Sequence, residues 1–142
     1  MKIIERSALM PFSAEQMYEL VNDVERYPQF LPWCGGSKLI ETSETKMIAS
    51  VTIKKAGIEQ SFTTENILEA GRKIQMNLKE GPFESLTGYW EFQPLMENAC
   101  KISFRVEFQM KVGMLSVILG PIFEQIASTM VDSFCKRAKQ VL

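Results

Sequence analysis

The sequence predicts an α+β domain in which a curved antiparallel sheet of six or seven strands grips a long C-terminal helix, with a short N-terminal helix beside it. Three observations predict it. Between about residues 37 and 111, apolar and polar residues alternate with period two, the pattern of a sheet buried on one face and wet on the other. From Leu115 to Ala138 the period is helical. At Ser13 the chain carries a helix start signal. Runs of strands flanked by helices belong to the α+β class rather than to alternating βαβ units. At 142 residues the chain is one domain, residues 1–142, long enough to bury a core without staples.

The first strand is expected near residues 2–10, ended by Pro11. Ser13 is the N-cap of the helix that follows, Gln16 completes a capping box, and Phe12 and Met17 are spaced for a hydrophobic staple. Met17, Leu20, Val21 and Val24 form its apolar face, and it ends near Asp23. Residues 25–36, ERYPQFLPWCGG, contain two prolines and two glycines and exclude a long regular element. The segment nevertheless carries Tyr27, Phe30, Leu31 and Trp33. Surface loops are ordinarily polar, so this one either covers a hydrophobic face or lines something.

In the meander, Met47, Ala49, Val51 and Ile53 share one phase, as do Ile74, Met76 and Leu78. Leu86, Gly88, Trp90 and Phe92 form a third set, and Ile102, Phe104, Val106, Phe108 and Met110 a fourth. Turn signals separate the runs at Ala56-Gly57, Ala70-Gly71, Gly81-Pro82 and Glu97-Asn98. In the last helix Leu115, Leu119, Ile122, Ile126, Met130 and Phe134 make a stripe that Ile118, Phe123, Ala127, Val131, Cys135 and Ala138 widen. Gly120-Pro121 is expected to kink or restart it, since proline removes a backbone hydrogen bond.

Composition excludes several functions. There is no histidine, so neither a Ser-His or Cys-His nucleophile pair nor an imidazole metal site is possible. Cys34, Cys100 and Cys135 are odd in number and contain no CxxC, which fits reduced thiols in the cytoplasm. A net charge of −1 and a pI near 5.6 argue against a DNA binder. Glu5 and Arg6 interrupt the apolar run that a secretion signal needs. The uncharged stretch Val112 to Phe123 is shorter than the roughly 20 residues of a membrane span. Glu91 and Glu107 fall on the wet face and Glu80 and Glu84 flank a turn, so no carboxylates converge and catalysis is not expected.

Tyr27-Pro28-Gln29-Phe30-Leu31-Pro32-Trp33-Cys34, Gly81-Pro82-Phe83, and Leu86-x-Gly88-x-Trp90-x-Phe92 resemble the coenzyme-Q-binding family of the START-like (helix-grip) superfamily. Within that family the chain is most similar to the branch of bacterial ribosome association toxins. The resemblance covers essentially the whole chain. It implies ubiquinone or another isoprenoid lipid bound in a cavity, in support of respiration. For the toxin branch it implies docking on the large ribosomal subunit and a block to subunit association, which inhibits translation initiation. It supplies no catalytic residue and no required cofactor.

A sheet gripping one helix leaves space for a ligand between them. The residues placed to contact it are Tyr27, Phe30, Leu31 and Trp33 of the loop; Phe62, Met76, Leu78, Phe83, Leu86, Trp90, Phe104, Val106 and Phe108 of the sheet; and Leu119, Phe123, Ile126 and Met130 of the helix. Each also reads as plain core. Apolar walls alone can hold a polyprenyl tail, because burying a five-carbon unit contributes roughly 3–4 kcal/mol before costs. Lys55, Gln60, Thr64 and Asn66 fall in the inward phase and either bond to neighbouring backbone or meet a polar headgroup. The aromatic loop is either a plug or a gate that touches membranes transiently. As a gate, it predicts that Trp33→Ala weakens lipid uptake and spares thermal stability. Residues 112–123 read either as the start of a core helix or as a mobile flap. Lys54-Lys55 and Lys136-Arg137-Lys139 are either solvated surface or contacts to ribosomal RNA.

Overall fold

Nine residues, Lys2–Met10, form β1 of the computed structural model, which describes residues 1–142. Helix α1, Ala14–Asn22, starts as the sequence predicts. The Gln16 amide donates to Ser13 Oγ at 3.1 Å and the Ser13 amide donates to Gln16 Oε1 at 3.0 Å, so two donors at the helix start are satisfied. Ala14, Met17, Tyr18 and Val21 are its buried face, and Tyr18 meets Phe92 edge-on with ring centroids 5.7 Å apart.

The chain then winds into a six-residue 3₁₀ helix, Val24–Gln29, that contains Pro28. Strand β2, Cys34–Thr42, begins earlier than the sequence suggests and takes in both glycines of the expected loop. The reason is a bulge between Cys34 and Gly36. A Cβ on Gly35 would stand 2.8 Å from Lys54 Cβ, so the bulged strand approaches its neighbour only with glycine there.

The meander continues through β3 (Lys46–Lys55), β4 (Ile58–Glu69), β5 (Lys73–Glu80), β6 (Phe83–Met96) and β7 (Ala99–Met110). The result is one seven-stranded antiparallel sheet in the order β1-β7-β6-β5-β4-β3-β2. The connection through α1 and the aromatic segment therefore runs from one edge of the sheet to the other. Gly88 sits at the centre, paired with Met76 on β5 and Val106 on β7. A Cβ there would meet the Arg105 carbonyl oxygen at 2.4 Å, which explains why the Leu-x-Gly-x-Trp pattern needs glycine.

Helix α2, Met114–Val141, lies across the inner face of the curved sheet. It runs unbroken through Gly120-Pro121, contrary to the restart the sequence suggests. The proline removes one donor, and the carbonyl it leaves belongs to Val117, which is 75% exposed and reachable by water. Leu119, Phe123, Ile126, Ala127, Val131, Phe134 and Ala138 face the core. Leu115 and Ile118, expected in that stripe, are exposed, as are Met114 and Val117. Gly120 lies level with Met110, the last residue of β7, so the turns before it overhang the sheet. At 28 residues and a mean hydropathy of 1.5 over its most apolar window, α2 is long and apolar enough to cross a bilayer, a test that core helices also pass.

Candidate functional site: a hollow between the sheet and the long helix

A cavity of about 100 Å³ lies between the sheet and α2. Val24, Tyr27 and Trp33 line it from the edge-to-edge connection, Ala49, Val51 and Ile53 from β3, and Phe62, Thr64 and Asn66 from β4. Met76, Leu86, Trp90, Phe104 and Val106 complete the sheet side; Phe123, Ile126, Ala127 and Met130 form the roof.

Two aromatic clusters prop the layers apart. At one end Phe123 meets Phe62, Phe83 and Phe108 with centroids 6.0, 4.8 and 4.7 Å away. At the other, Phe134 meets Tyr27, Phe30 and Trp90 at 5.4, 5.4 and 5.3 Å. Eleven residues of helix separate Phe123 from Phe134, about 16 Å. Between them the walls are small or flexible, Ala49, Val51, Thr64, Met76 and Ala127, and the layers do not fill the gap. An unfilled volume of this size costs about 2 kcal/mol at ~24 cal/mol per Å³, which a domain of ordinary stability tolerates.

Of the expected contacts, Tyr27, Trp33, Phe62, Met76, Leu86, Trp90, Phe104, Val106, Phe123, Ile126 and Met130 line the cavity. Phe30, Leu31, Leu78, Phe83, Phe108 and Leu119 do not. Phe83 and Phe108 are spent on the first aromatic cluster, and Phe30 is half-buried under Arg137, whose guanidinium carbon lies 5.0 Å from the ring centre. Leu31 and Leu119 are fully buried in solid core, and Leu78 packs beside the Gly81 turn. Sequence reasoning missed Val24, Ala49, Val51, Ile53 and Ala127. The β3 alternation was visible, but not that β3 would flank the hollow.

Of the polar candidates, Thr64 and Asn66 line the cavity, and Lys55 and Gln60 do not. The Phe62 ring closes the hollow before Gln60, which opens instead onto a separate depression with Ser50, Ser61 and Glu80. Lys55 is exposed and its Nζ donates to Gln125 Oε1 at 3.4 Å. No lysine, arginine or carboxylate lines the cavity. Glu107 pairs with Arg105 on the outer face, where Arg105 also meets Glu5 at 2.7 Å.

Tyr27 is the one titratable side chain in the wall. Its hydroxyl donates to the Val21 carbonyl at 2.5 Å, and burial pushes its pKa far above the ordinary phenol value. The loop is stitched to the sheet as well: the Lys54 amide donates to the Trp33 carbonyl at 2.7 Å. Trp33 itself is only 8% exposed, so the idea that its loss would spare stability is corrected; the ring is core. Two buried polar atoms of the wall residues have no partner, Trp33 Nε1 and Asn66 Oδ1. Each such atom costs about 1–3 kcal/mol left unmet.

Comparison with known proteins bears on both cavity and surface. Residues 10–135 match the family described as polyketide cyclase/dehydrase and lipid transport. A ribosome association toxin, RatA, of Vibrio cholerae is 53% identical over 99% of this chain and 98% of its own length. The RatA of Pseudomonas aeruginosa is 50% identical over 97% and 96%. A more distant relative, the mitochondrial coenzyme Q-binding protein COQ10 homolog B of Xenopus laevis, is 27% identical over 95% of this chain and 57% of its own. Among solved structures, a START superfamily protein from Mycobacterium smegmatis superposes with a TM-score of 0.81 at 16% identity, covering 99% of both chains. The Zhui aromatase/cyclase from a Streptomyces species gives 0.84 at 15%, covering 98% of this chain and 94% of that one. These two likenesses establish the helix-grip fold.

Proposed function

The chain belongs to the polyketide cyclase/dehydrase and lipid transport family, and we propose that within it the chain is a non-catalytic ribosome association factor of the cytoplasm. It docks on the large ribosomal subunit, keeps the small one from joining, and so inhibits translation initiation. The observation that carries this reading is the likeness, at about 50% identity and nearly end to end, to proteins named ribosome association toxins. The geometry is consistent with it. The hollow is smaller than the roughly 300–1,000 Å³ of ordinary ligand sites and holds no acid or base pair, which fits a non-catalytic role. Sedimentation tests it. Added to dissociated subunits, the protein should comigrate with the large one and lower the yield of intact ribosomes. Neither effect at low salt would overturn the reading.

A second reading is favoured by the cavity itself: a hydrophobic ligand with a polar head, such as ubiquinone or another isoprenoid lipid. Thr64, the unpartnered Asn66 and the unpartnered Trp33 indole give a neutral wall in need of hydrogen-bond partners. Met76 and Met130 make that wall adaptable, which a ligand larger than the present hollow requires. The name of the Xenopus relative points the same way. Native mass spectrometry of protein purified from a ubiquinone-producing host tests it. Asn66→Leu should raise stability by about 1 kcal/mol, since it removes an unmet buried acceptor, and should lower quinone occupancy. Wild-type protein still empty after incubation with quinone-loaded vesicles would overturn this reading. The two functions are compatible, since one uses the interior and the other the exterior.

A further inference from the structure

Lys136, Arg137 and Lys139 close α2, and none of them has an ion-pair partner. The helix dipole accounts for cations at a C-terminus. It does not account for what lies beside them. A groove of about 470 Å³ runs between the last turns of α2 and the aromatic segment. Its walls carry Gln29, Thr129, Ser133 and Gln140, amides and hydroxyls with capacity to donate and accept. Phe30 and Pro32 form its apolar surface, with the Arg137 guanidinium 5.0 Å from the Phe30 ring centre. The Gln29 side-chain oxygen accepts from Arg137 Nη2 at 3.3 Å and steadies that position. From beneath, the Phe30 ring rests edge-on against Tyr27 and Phe134, with centroids 6.1 and 5.4 Å away, so the platform is built on the core.

We propose that this groove is an RNA-contacting surface that takes an unstacked nucleobase from a single-stranded segment of ribosomal RNA, an inference that rests on the ribosome reading above. A flat aromatic–guanidinium face is what unstacked bases stack on. Lys136 on the groove wall, and Lys139 about one turn further along α2 outside it, supply charge for the flanking phosphates, and the amides and hydroxyls suit base edges. Asp132, on the same wall, is an acceptor for the exocyclic amino group of a base. Lys54-Lys55, the other basic pair, has no aromatic partner and no such groove, and Lys55 is engaged with Gln125. It serves as the control site.

The test uses the full chain, a labelled single-stranded oligoribonucleotide of mixed sequence, and purified large subunits, with affinities measured across a salt series. Arg137→Lys keeps the charge and loses the plane, and should weaken oligonucleotide binding about tenfold. The double change Lys136→Gln with Lys139→Gln should flatten the log-log salt slope by about 1.4, since each single-strand phosphate contact contributes about 0.7. Lys54→Gln should leave both unchanged. Subunit binding should weaken in the same order as oligonucleotide binding. If wild type binds subunits and the α2 variants bind them equally well, the groove inference is overturned and the ribosome reading stands. If oligonucleotides bind as predicted but subunits do not, the ribosome reading falls and the groove remains. If wild type binds neither, both fall.

Discussion

Two parts of α2 both carry large apolar residues and meet opposite fates. Met114 to Ile118 and Leu119 to Ala138 are both rich in large apolar residues. The second part sends seven side chains into the core, and the first sends none. Met114 is 84% exposed and Phe134 is fully buried. What differs is the surface opposite. From Leu119 onward the helix faces strands whose inward positions hold Trp90, Phe104, Val106 and Phe108; before it, β7 has already ended at Met110. Apolar character thus sets the capacity to bury a side chain, and the length of the facing strands decides whether it is used.

The largest effect should come from breaking the packed part. Phe134→Ala removes a ring in contact with three others and leaves a void that the rigid sheet cannot collapse into. It should cost about 3–5 kcal/mol, measured as the urea midpoint at constant slope. A loss under 1 kcal/mol would mean that the aromatic cluster is not what anchors the helix. A smaller but still severe effect should follow on the strand side. Gly88→Ala pushes a methyl group into the Arg105 carbonyl and Val106 on β7, and should cost about 1–3 kcal/mol. An alanine variant as stable as wild type would show that the two strands can separate without loss, and that the facing surface is less fixed than the comparison requires.

How much of this was legible in the sequence depends on how local each signal is. Ser13 and Gln16 announce a helix start because both partners lie within one turn, and the capping box forms as expected. Gly57 announces a hairpin because the turn needs positive φ, which it adopts at 80°, with Ala56 before it at 53°. The site is less legible because it is a volume that remains unfilled. It exists because Ala49 on β3 and Ala127 on α2 are both small across a gap held open by Phe123 and Phe134. That coincidence depends on strand order and helix placement, which no window of sequence contains. Lys55 and Gln60 were misjudged for a related reason. Strand phase alone does not reveal that the cavity ends at Phe62, whose ring meets Phe123 of the helix, so that neither residue reaches it. Leu115 and Ile118 keep the helical period, and the period is silent about where the sheet ends.

Raising the pH separates the two parts of α2 by another route. Burial pushes the thiols of Cys34, Cys100 and Cys135 and the Tyr27 phenol above their ordinary values. The folded state therefore holds protons that the unfolded chain gives up, first from thiols near pH 9 and then from phenol near 10. The stability these groups contribute is fully present at pH 7 and is lost as pH rises past those values. The urea midpoint should fall steadily above about pH 9. Cys135 puts one of these groups on the packed part of α2, whereas Val112 to Phe123 carries nothing that titrates. A midpoint unchanged to pH 10.5 would mean that the thiols are open to solvent and the helix is not seated as described.

The smallest effect is expected where hydropathy alone would place a large one. Val117 is 75% exposed and Met114 84%, so replacing both by serine removes little surface that folding had taken from water. Stability should change by no more than about 0.5 kcal/mol, the range of ordinary surface substitutions. Hydrogen exchange should agree. Amides of residues 112–118 should exchange fast, since Val112, Met114, Leu115, Val117 and Ile118 are exposed and Pro121 leaves the Val117 carbonyl without its helical donor. Amides of 122–134 should exchange at rates approaching those of global unfolding. Equal protection in the two stretches, or a double-serine variant destabilised by several kcal/mol, would mean that the overhanging turns fold as one unit with the core. The contrast would then belong to solvent contact alone and not to stability.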